Sequence, residues 1–343
     1  MSTVAQTPRD FNYIKPRKRR LSEYEAVSCY TQPDPNVFDR QGWYLLTAEG
    51  RAAWRPESTR LQHPHWFDFR DPSGLWQRYY VKLQAEQERS IERNVEDAAI
   101  AGTIHEFDAV WLNEIIGVHY RVWSFFEYGL FRAFSRAQRE ALSDTLGNAL
   151  CFEAVDRIRH AQSTVLYLME LEAQIEGFKD HASKDHWLGD PIYQPLRKLV
   201  ELLMATDDWA EIAFAVNLII DPIATEVGVS RLIRYHGPAH GDPVTPMIIL
   251  TTERDRRRNQ AWTEELVRMT TAPELSSAES NRKVLGNWVE RWTPLANAAA
   301  KAFAPVYERL PVRSGSIDEE LAVANQAQTK ILDGLGLGRE GHR

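Results

Sequence analysis

Apolar residues recur at helical spacing through most of this chain. Between Phe107 and Phe134 they fall at 111, 112, 115, 116, 119, 122, 123, 126, 130 and 131, counting His119 as semi-apolar. Such a broad stripe predicts a helix buried on more than one side. Upstream, Asp71-Pro72 offers an N-cap with proline at the first helical position, and the run from Leu75 predicts a helix to about Ala101, closed by Gly102. Further helices are predicted over 135–177 from a Ser135 cap with Gly147 as a candidate bend, from Pro191 onward, and over 209–235, 244–271, 279–304 and 317–335. His236-Gly-Pro-Ala-His-Gly-Asp-Pro243 reads as a breaker. No strand alternation, Asn-Gly hairpin or glycine-rich phosphate loop competes. The four strongest runs, 107–134, 136–177, 209–235 and 244–271, would each reach ~40 Å or more at 1.5 Å per residue. Long antiparallel helices of that kind predict an all-α bundle.

Residues 1–70 have another character. Pro8, Pro16, Pro33, Pro35, Pro56 and Pro64 interrupt any long element. One short helix is predicted at Ser22–Ser28, where Ser22 and Glu25 have capping-box spacing. Much of the aromatic content (11 Trp, 12 Tyr and 13 Phe in the chain) falls within residues 1–80, which suits a docking surface. The division implied is an extended docking arm over 1–70, a bundle over 71–310, and a C-terminal helix and tail over 311–343.

The composition of the 343-residue chain, 43% apolar and 26% charged, is that of a globular protein. A net charge of −7 argues against general nucleic-acid binding. The basic run Lys15-Pro-Arg-Lys-Arg-Arg20 reads as a solvated or partner-facing strip, with a targeting or nucleic-acid signal as the alternative. Cys29 and Cys151 form no CxxC pair and read as inert, reduced thiols of a cytoplasmic protein. No signal peptide or uninterrupted apolar span of ~18 residues is visible, so no membrane is expected.

Two segments resemble each other: Asp156-Arg-Ile-Arg-His160 and, 99 positions later, Asp255-Arg-Arg-Arg-Asn259. Diiron carboxylate bundles use a Glu-x-x-His pair on each of two helices, because positions i and i+3 share one face. In catalytic subunits of bacterial multicomponent monooxygenases that pair sits within Asp-Glu-x-Arg-His, and both segments resemble this motif with its ligands damaged. Arg157 stands in the first glutamate place while His160 survives. At the second site Arg256 and Asn259 stand in the glutamate and histidine places. Glu127, thirty residues before Arg157, matches the place of the family's first single glutamate, and its counterpart falls near Pro222, with Asp221 and Glu226 the nearest carboxylates. Arginine keeps its proton and cannot coordinate a cation, so no metal is expected here. An ion-pair network of Arg157 with Glu127, and of Arg256 with a nearby acid, is expected in its place; the alternative is that these arginines face solvent or a partner.

Other stretches point the same way: Pro16-Arg-Lys-Arg-Arg-Leu-Ser-Glu-Tyr-Glu25, Trp76-Gln-Arg-Tyr-Tyr80, Asp207-Asp-Trp-Ala-Glu211 with Asn217-Leu218, and Trp288-Val-Glu-Arg-Trp292. On these residues, over roughly 13–305, the chain resembles the β (small) subunit of the hydroxylase in soluble diiron monooxygenases, most nearly the propane type. The resemblance implies a ferritin-like fold and no catalytic, cofactor-binding or metal-binding residue in this chain. It implies a diiron centre in a partner α subunit, an α2β2 or (αβγ)2 assembly, a coupling protein, and electrons from NADH through a flavin and iron–sulfur reductase. Rival readings are a self-standing helical diiron oxygenase and a helical scaffold unrelated to redox chemistry.

Lesser candidates carry little. His63-Pro-His65 is a weak metal clip, while His236, His240, His181 and His186 read as surface histidines. Glu170, Glu172 and Glu176 lack an acid–base partner.

Overall fold

The computed structural model describes residues 16–28, 55–179, 183–312 and 315–338, and among these the chain is helical with no strand. Helix α1 spans Glu23–Ser28, and its capping box forms: the Glu25 amide donates to Ser22 Oγ at 3.1 Å and the Ser22 amide donates to Glu25 Oε2 at 2.9 Å. Helix α2 is Gln77–Ala101, closed by Gly102 at φ 74° as its sequence suggests. Its start differs from the expected Asp71-Pro72 cap. The Asp71 carboxylate accepts from the Ser73 amide at 2.8 Å and fixes a turn that ends at Gly74, φ 58°, a conformation that no right-handed helix continues.

Helix α3 consists of Trp111–Tyr120, whose turns are widened to i→i+5, and Arg121–Arg139, which follows without a break. Ser135 therefore lies inside α3 and caps nothing, because the apolar face continues through Ala133, Phe134 and Ala137 into the core. The true cap is Ser143, which accepts from the Leu146 amide and opens α4, Asp144–Gln174. Helices α5 (Ser183–Gly189) and α6 (Gln194–Ala205) lead to α7. This last begins as Trp209–Ala215 under an Asp208 cap, widens over Val216–Arg231 and closes with Leu232–His236. Pro222 sits within the widened stretch, where the regular hydrogen-bond ladder it cannot join is already relaxed. Helices α8 (Thr245–Thr270), α9 (Ala278–Lys301), α10 (Ala304–Glu308) and α11 (Ile317–Gly334) complete the order.

Helix α7 runs through the centre, buried along nearly all of its widened stretch and packed by α8, α9 and α11. Helices α3 and α4 lie alongside each other and complete the ferritin-like core. Leu61 and Phe69 are buried in this same core, so the end of the proline-broken segment is packed onto the bundle. Glu25 and Arg70 pin it further as a buried pair at 3.0 Å.

Two histidines depart from expectation. His236 and His240 are buried, not on the surface. His240 stacks on Trp111 at 5.0 Å and accepts from the Val312 amide, and His236 meets the edge of Tyr307. The breaker folds back as a single 3-10 turn, Gly237–His240, and tucks both rings under the bundle. His186 is partly exposed, and His181 and Cys29 lie outside the described residues.

Where helices cross most closely, size decides. A Cβ added to Gly228 on α7 would stand 2.6–2.7 Å from the rings of Phe303 and Trp123. The Gly228 carbonyl accepts from His119 Nε2 at 2.6 Å, while Tyr193 donates to Nδ1 at 3.2 Å. Burial lowers His119 to about 4, so it is neutral in this bridge. Gly228→Ala is expected to destabilise the fold by about 1–3 kcal/mol, read as a lower denaturation midpoint; an unchanged midpoint would show that the rings move aside freely.

Candidate functional site

Four helices meet at a buried array of charge. Helix α3 contributes Glu127; α4 contributes Glu153, Asp156, Arg157, Arg159 and His160; α7 contributes Asn217 and Asp221; α8 contributes Asp255, Arg256, Arg258 and Asn259. The positions follow from helical spacing, since Glu153, Arg157 and His160 fall on one side of α4 and Asp255, Arg256 and Asn259 on one side of α8.

Arg157 is 0% exposed. It donates from Nη2 to Asp221 Oδ2 at 2.5 Å, to Glu153 Oε1 at 3.0 Å and to Asn217 Oδ1 at 3.3 Å. Its Nη1 lies 3.3 Å from Asp221 Oδ1 and 3.5 Å from Glu127 Oε2. Arg256 donates to the other oxygen of Glu127 at 3.0 Å and to Ser230 Oγ at 3.1 Å. The two arginines therefore grip Glu127 from both sides, and the ion-pair network forms. The pairing differs in emphasis from the sequence expectation. Asp221, not Glu127, is the closest partner of Arg157, and Glu127 is the acid that meets Arg256. Asp221 enters the cluster, whereas Glu226 lies outside it beside Glu253, which with burial pushes its carboxyl up.

The two repeated segments also exchange partners. Arg159 pairs with Asp255 and Arg258 with Asp156, so the arginine at the fourth position of each segment binds the first residue of the other. His160 Nε2 lies 3.1 Å from Asp255 Oδ2, and Asn259 Nδ2 donates to Asp156 Oδ2 at the same 3.1 Å. Asn259 thus supplies the hydrogen bond to Asp156 that His160 supplies to Asp255. From α2, Gln84 donates to both aspartates, at 3.2 and 3.0 Å, and Tyr80 donates to Asp156 at 2.9 Å. None of this exchange was read from the sequence, although the repeated Asp-Arg-x-Arg pattern was its available signal. Glu153 gave no signal, because one buried acid on a long helix looks like many others, and Asn217 stood out only as part of a family-like stretch, with no place in the cluster read for it.

Electrostatics explain which groups carry charge. Burial would raise Glu127, but Arg157, His160 and Arg256 outweigh it and hold its carboxyl well below the usual range. Burial likewise opposes Asp255, which His160, Arg159 and Arg258 hold low. Asp156 is pushed upward by burial and by Asp255's charge. Glu153 is pushed up to about 7, since burial exceeds the help of Arg157 and Asn217. Five buried carboxylates (Glu127, Glu153, Asp156, Asp221, Asp255) face four guanidiniums (Arg157, Arg159, Arg256, Arg258), and the upward shifts of Glu153 and Asp156 ease the crowding of negative charge.

This donor set does not fit a pair of metal ions. Both Glu127 oxygens face guanidiniums, and a dication between Arg157 and Arg256 would meet two fixed positive charges in a dry interior. Among the described residues, no group of three or more His, Cys, Asp or Glu side chains is placed to hold a metal. His63 and His65 are also no clip, for the His65 amide donates to His63 Nδ1 and the His63 ring packs on Trp66.

A family model described as Methane/Phenol/Alkene Hydroxylase matches residues 43–274. The chain is 29% identical to the small subunit of the propane 2-monooxygenase hydroxylase component of Gordonia sp. (strain TY-5), over 95% of this chain and 88% of that one. It is 30% identical to the methane monooxygenase component A beta chain of Methylococcus capsulatus (Bath), over 95% and 86%. Its fold matches a chain of the phenol hydroxylase from Pseudomonas sp. OX1 with a TM-score of 0.77, covering 99% of each at 18% identity.

Removing the central cation should leave its buried acids unpaired. Arg157→Met is expected to cost about 3–5 kcal/mol of stability at neutral pH, with partial recovery on acidification, measured by denaturant titration at several pH values. The folded pKa of Glu153 lies above its ordinary 4.5, so the folded state binds the extra proton and stability falls as pH rises from about 4.5 through about 7. Glu127 and Asp255 act oppositely: their contribution is full above the ordinary carboxylate pKa and is lost as pH falls below it. Glu153→Gln should flatten the 4.5–7 limb, worth up to about 3 kcal/mol, while leaving the acid limb in place.

Proposed function

The chain belongs to the methane/phenol/alkene hydroxylase family, and on that footing we propose that it is the non-catalytic β subunit of an NADH-dependent multicomponent monooxygenase hydroxylase. Its near full-length likeness to small and β chains supports a scaffolding part in an enzyme complex. The observation that carries the non-catalytic reading is the placement of Arg157 and Arg256 on Glu127, where the family's catalytic motif has glutamates.

On this reading the chain binds no metal, and the diiron centre, the O2 chemistry and the substrate pocket belong to a larger α subunit. The complex is an α2β2 or (αβγ)2 assembly that also binds a coupling protein and takes electrons from a flavin and iron–sulfur reductase. It inserts one oxygen atom of O2 into a small hydrocarbon, propane being the nearest guide from the relatives' names. Residues 1–70 serve as the arm that docks on α. The protein works in the cytoplasm. Trp209–His240, the one helix among the described residues long and apolar enough to cross a membrane, has 89% of its most apolar stretch buried inside the bundle.

The physical service of this chain is rigidity. An ion-pair array that spans four helices favours a single register and needs no metal to do so. Tagged protein co-expressed with its gene neighbours should bring down a larger subunit with intact Glu-x-x-His pairs. The isolated chain should contain no iron by elemental analysis; about two irons per chain would overturn the reading.

A further inference from the structure

One surface of the bundle stands apart from the buried array. Beyond Glu88, the C-terminal part of α2 and the C-terminal part of α4 enclose an open groove of about 700 Å³. Its floor is apolar, with Ile91, Val95, Ala99, Ile100, Leu166 and Tyr167. Ile100 is 79% exposed and Leu166 62%, and Met169 beside them is 60% exposed. Among the described residues Ile100 and Leu166, on the two walls of the groove, have no apolar cover, and Met169 extends the exposed surface one turn beyond Leu166 on α4.

The rim has one sign of charge. Glu88, Glu92 and Glu96 rise at i, i+4 and i+8 along α2, and Glu170 faces them from α4. Among the described residues no lysine, arginine or histidine lines the groove. Like charges one turn apart destabilise an isolated helix; Arg89 and Arg93 on α2 lie one turn from Glu92 and Glu96 but line no part of the groove, so relief there needs an ion-pair partner. Glu88 has one, Arg159 at 2.7 Å. Among the described residues no cation pairs with Glu92, Glu96 or Glu170, and Glu170 accepts only from Gln174.

We propose that the α2–α4 groove is a docking site for a basic, apolar-faced segment of the larger hydroxylase subunit. Its apolar side chains would cover Ile100, Leu166 and Met169, and its lysines or arginines would lie against Glu92, Glu96 and Glu170. The occupant's charge follows from complementarity with a rim that carries carboxylates and no bases. From residue 88 to residue 100 the α2 wall rises about 18 Å at 1.5 Å per residue, enough for roughly three turns of a bound helix. The inference rests on the reading of this chain as a hydroxylase β subunit.

The test uses the purified complex. Carboxyl groups are labelled with carbodiimide and glycine ethyl ester in the isolated chain and in the complex. The same carbodiimide, without added amine, couples contacting lysines and carboxylates. Glu92, Glu96 and Glu170 should be labelled in the isolated chain and protected in the complex, and any lysine coupled to them should belong to the larger subunit. Glu92→Lys/Glu96→Lys, two exposed changes that should leave the helical circular dichroism unaltered, should weaken assembly about tenfold or more in Kd. Equal labelling in both states, coupling to a lysine of this chain or of a second copy, or an unchanged Kd for the charge-reversed variant would overturn the proposal. Failure of any complex to form would instead count against the β-subunit reading on which it rests.

Discussion

A guanidinium in a dry helical interior has to be answered by carboxylates, and Arg157 sets that condition for the centre of this protein. It is wholly buried, and Asp221, Glu153, Asn217 and Glu127 surround it. Each of these sits on a different helix or a different turn, so the charge is neutralised only when α3, α4 and α7 are in one register. Arg256 extends the same requirement to α8 through Glu127. A buried ion pair adds little net stability once desolvation is counted, but an unmatched one is heavily penalised. The array therefore acts mainly by excluding wrong helix arrangements.

The exchange between the repeated segments adds a second layer. Asp156 takes Arg258 and Asn259, while Asp255 takes Arg159 and His160. The arrangement is nearly symmetric about the α4–α8 contact, and Gln84 spans both aspartates from α2. It relates like positions of two segments 99 residues apart in the chain. The charged array is buried, whereas Ile100, Leu166 and Met169 lie exposed on the outer faces of α2 and α4.

Periodicity alone revealed most of the helices, because burying an apolar stripe requires 3.6-residue spacing and leaves that spacing visible. Helix ends were less legible. Ser135 and Ser143 offer the same hydroxyl, and only the packing of Ala137 under the bundle makes the later one the cap. Asp71-Pro72 has the chemistry of a helix start, yet its carboxylate closes a turn. His236 and His240 flank a breaker that looks like surface loop, and the fold buries both against Tyr307 and Trp111.

The sequence by itself determined the all-helical class and the arginine at the second position of both repeated segments. Helical spacing and side-chain chemistry are local properties, and an arginine cannot coordinate a cation in any fold. It also placed Glu127, Arg157, His160, Arg256 and Asn259 as a group. Only the tertiary structure decided who pairs with whom: that Asp221 rather than Glu226 joins the cluster, that Glu127 is shared, and that burial raises Glu153 above the usual carboxylate range. The reason is physical. Ion pairing in a bundle depends on helix register and burial across segments far apart in the chain, and both are set by packing, which the order of residues does not display.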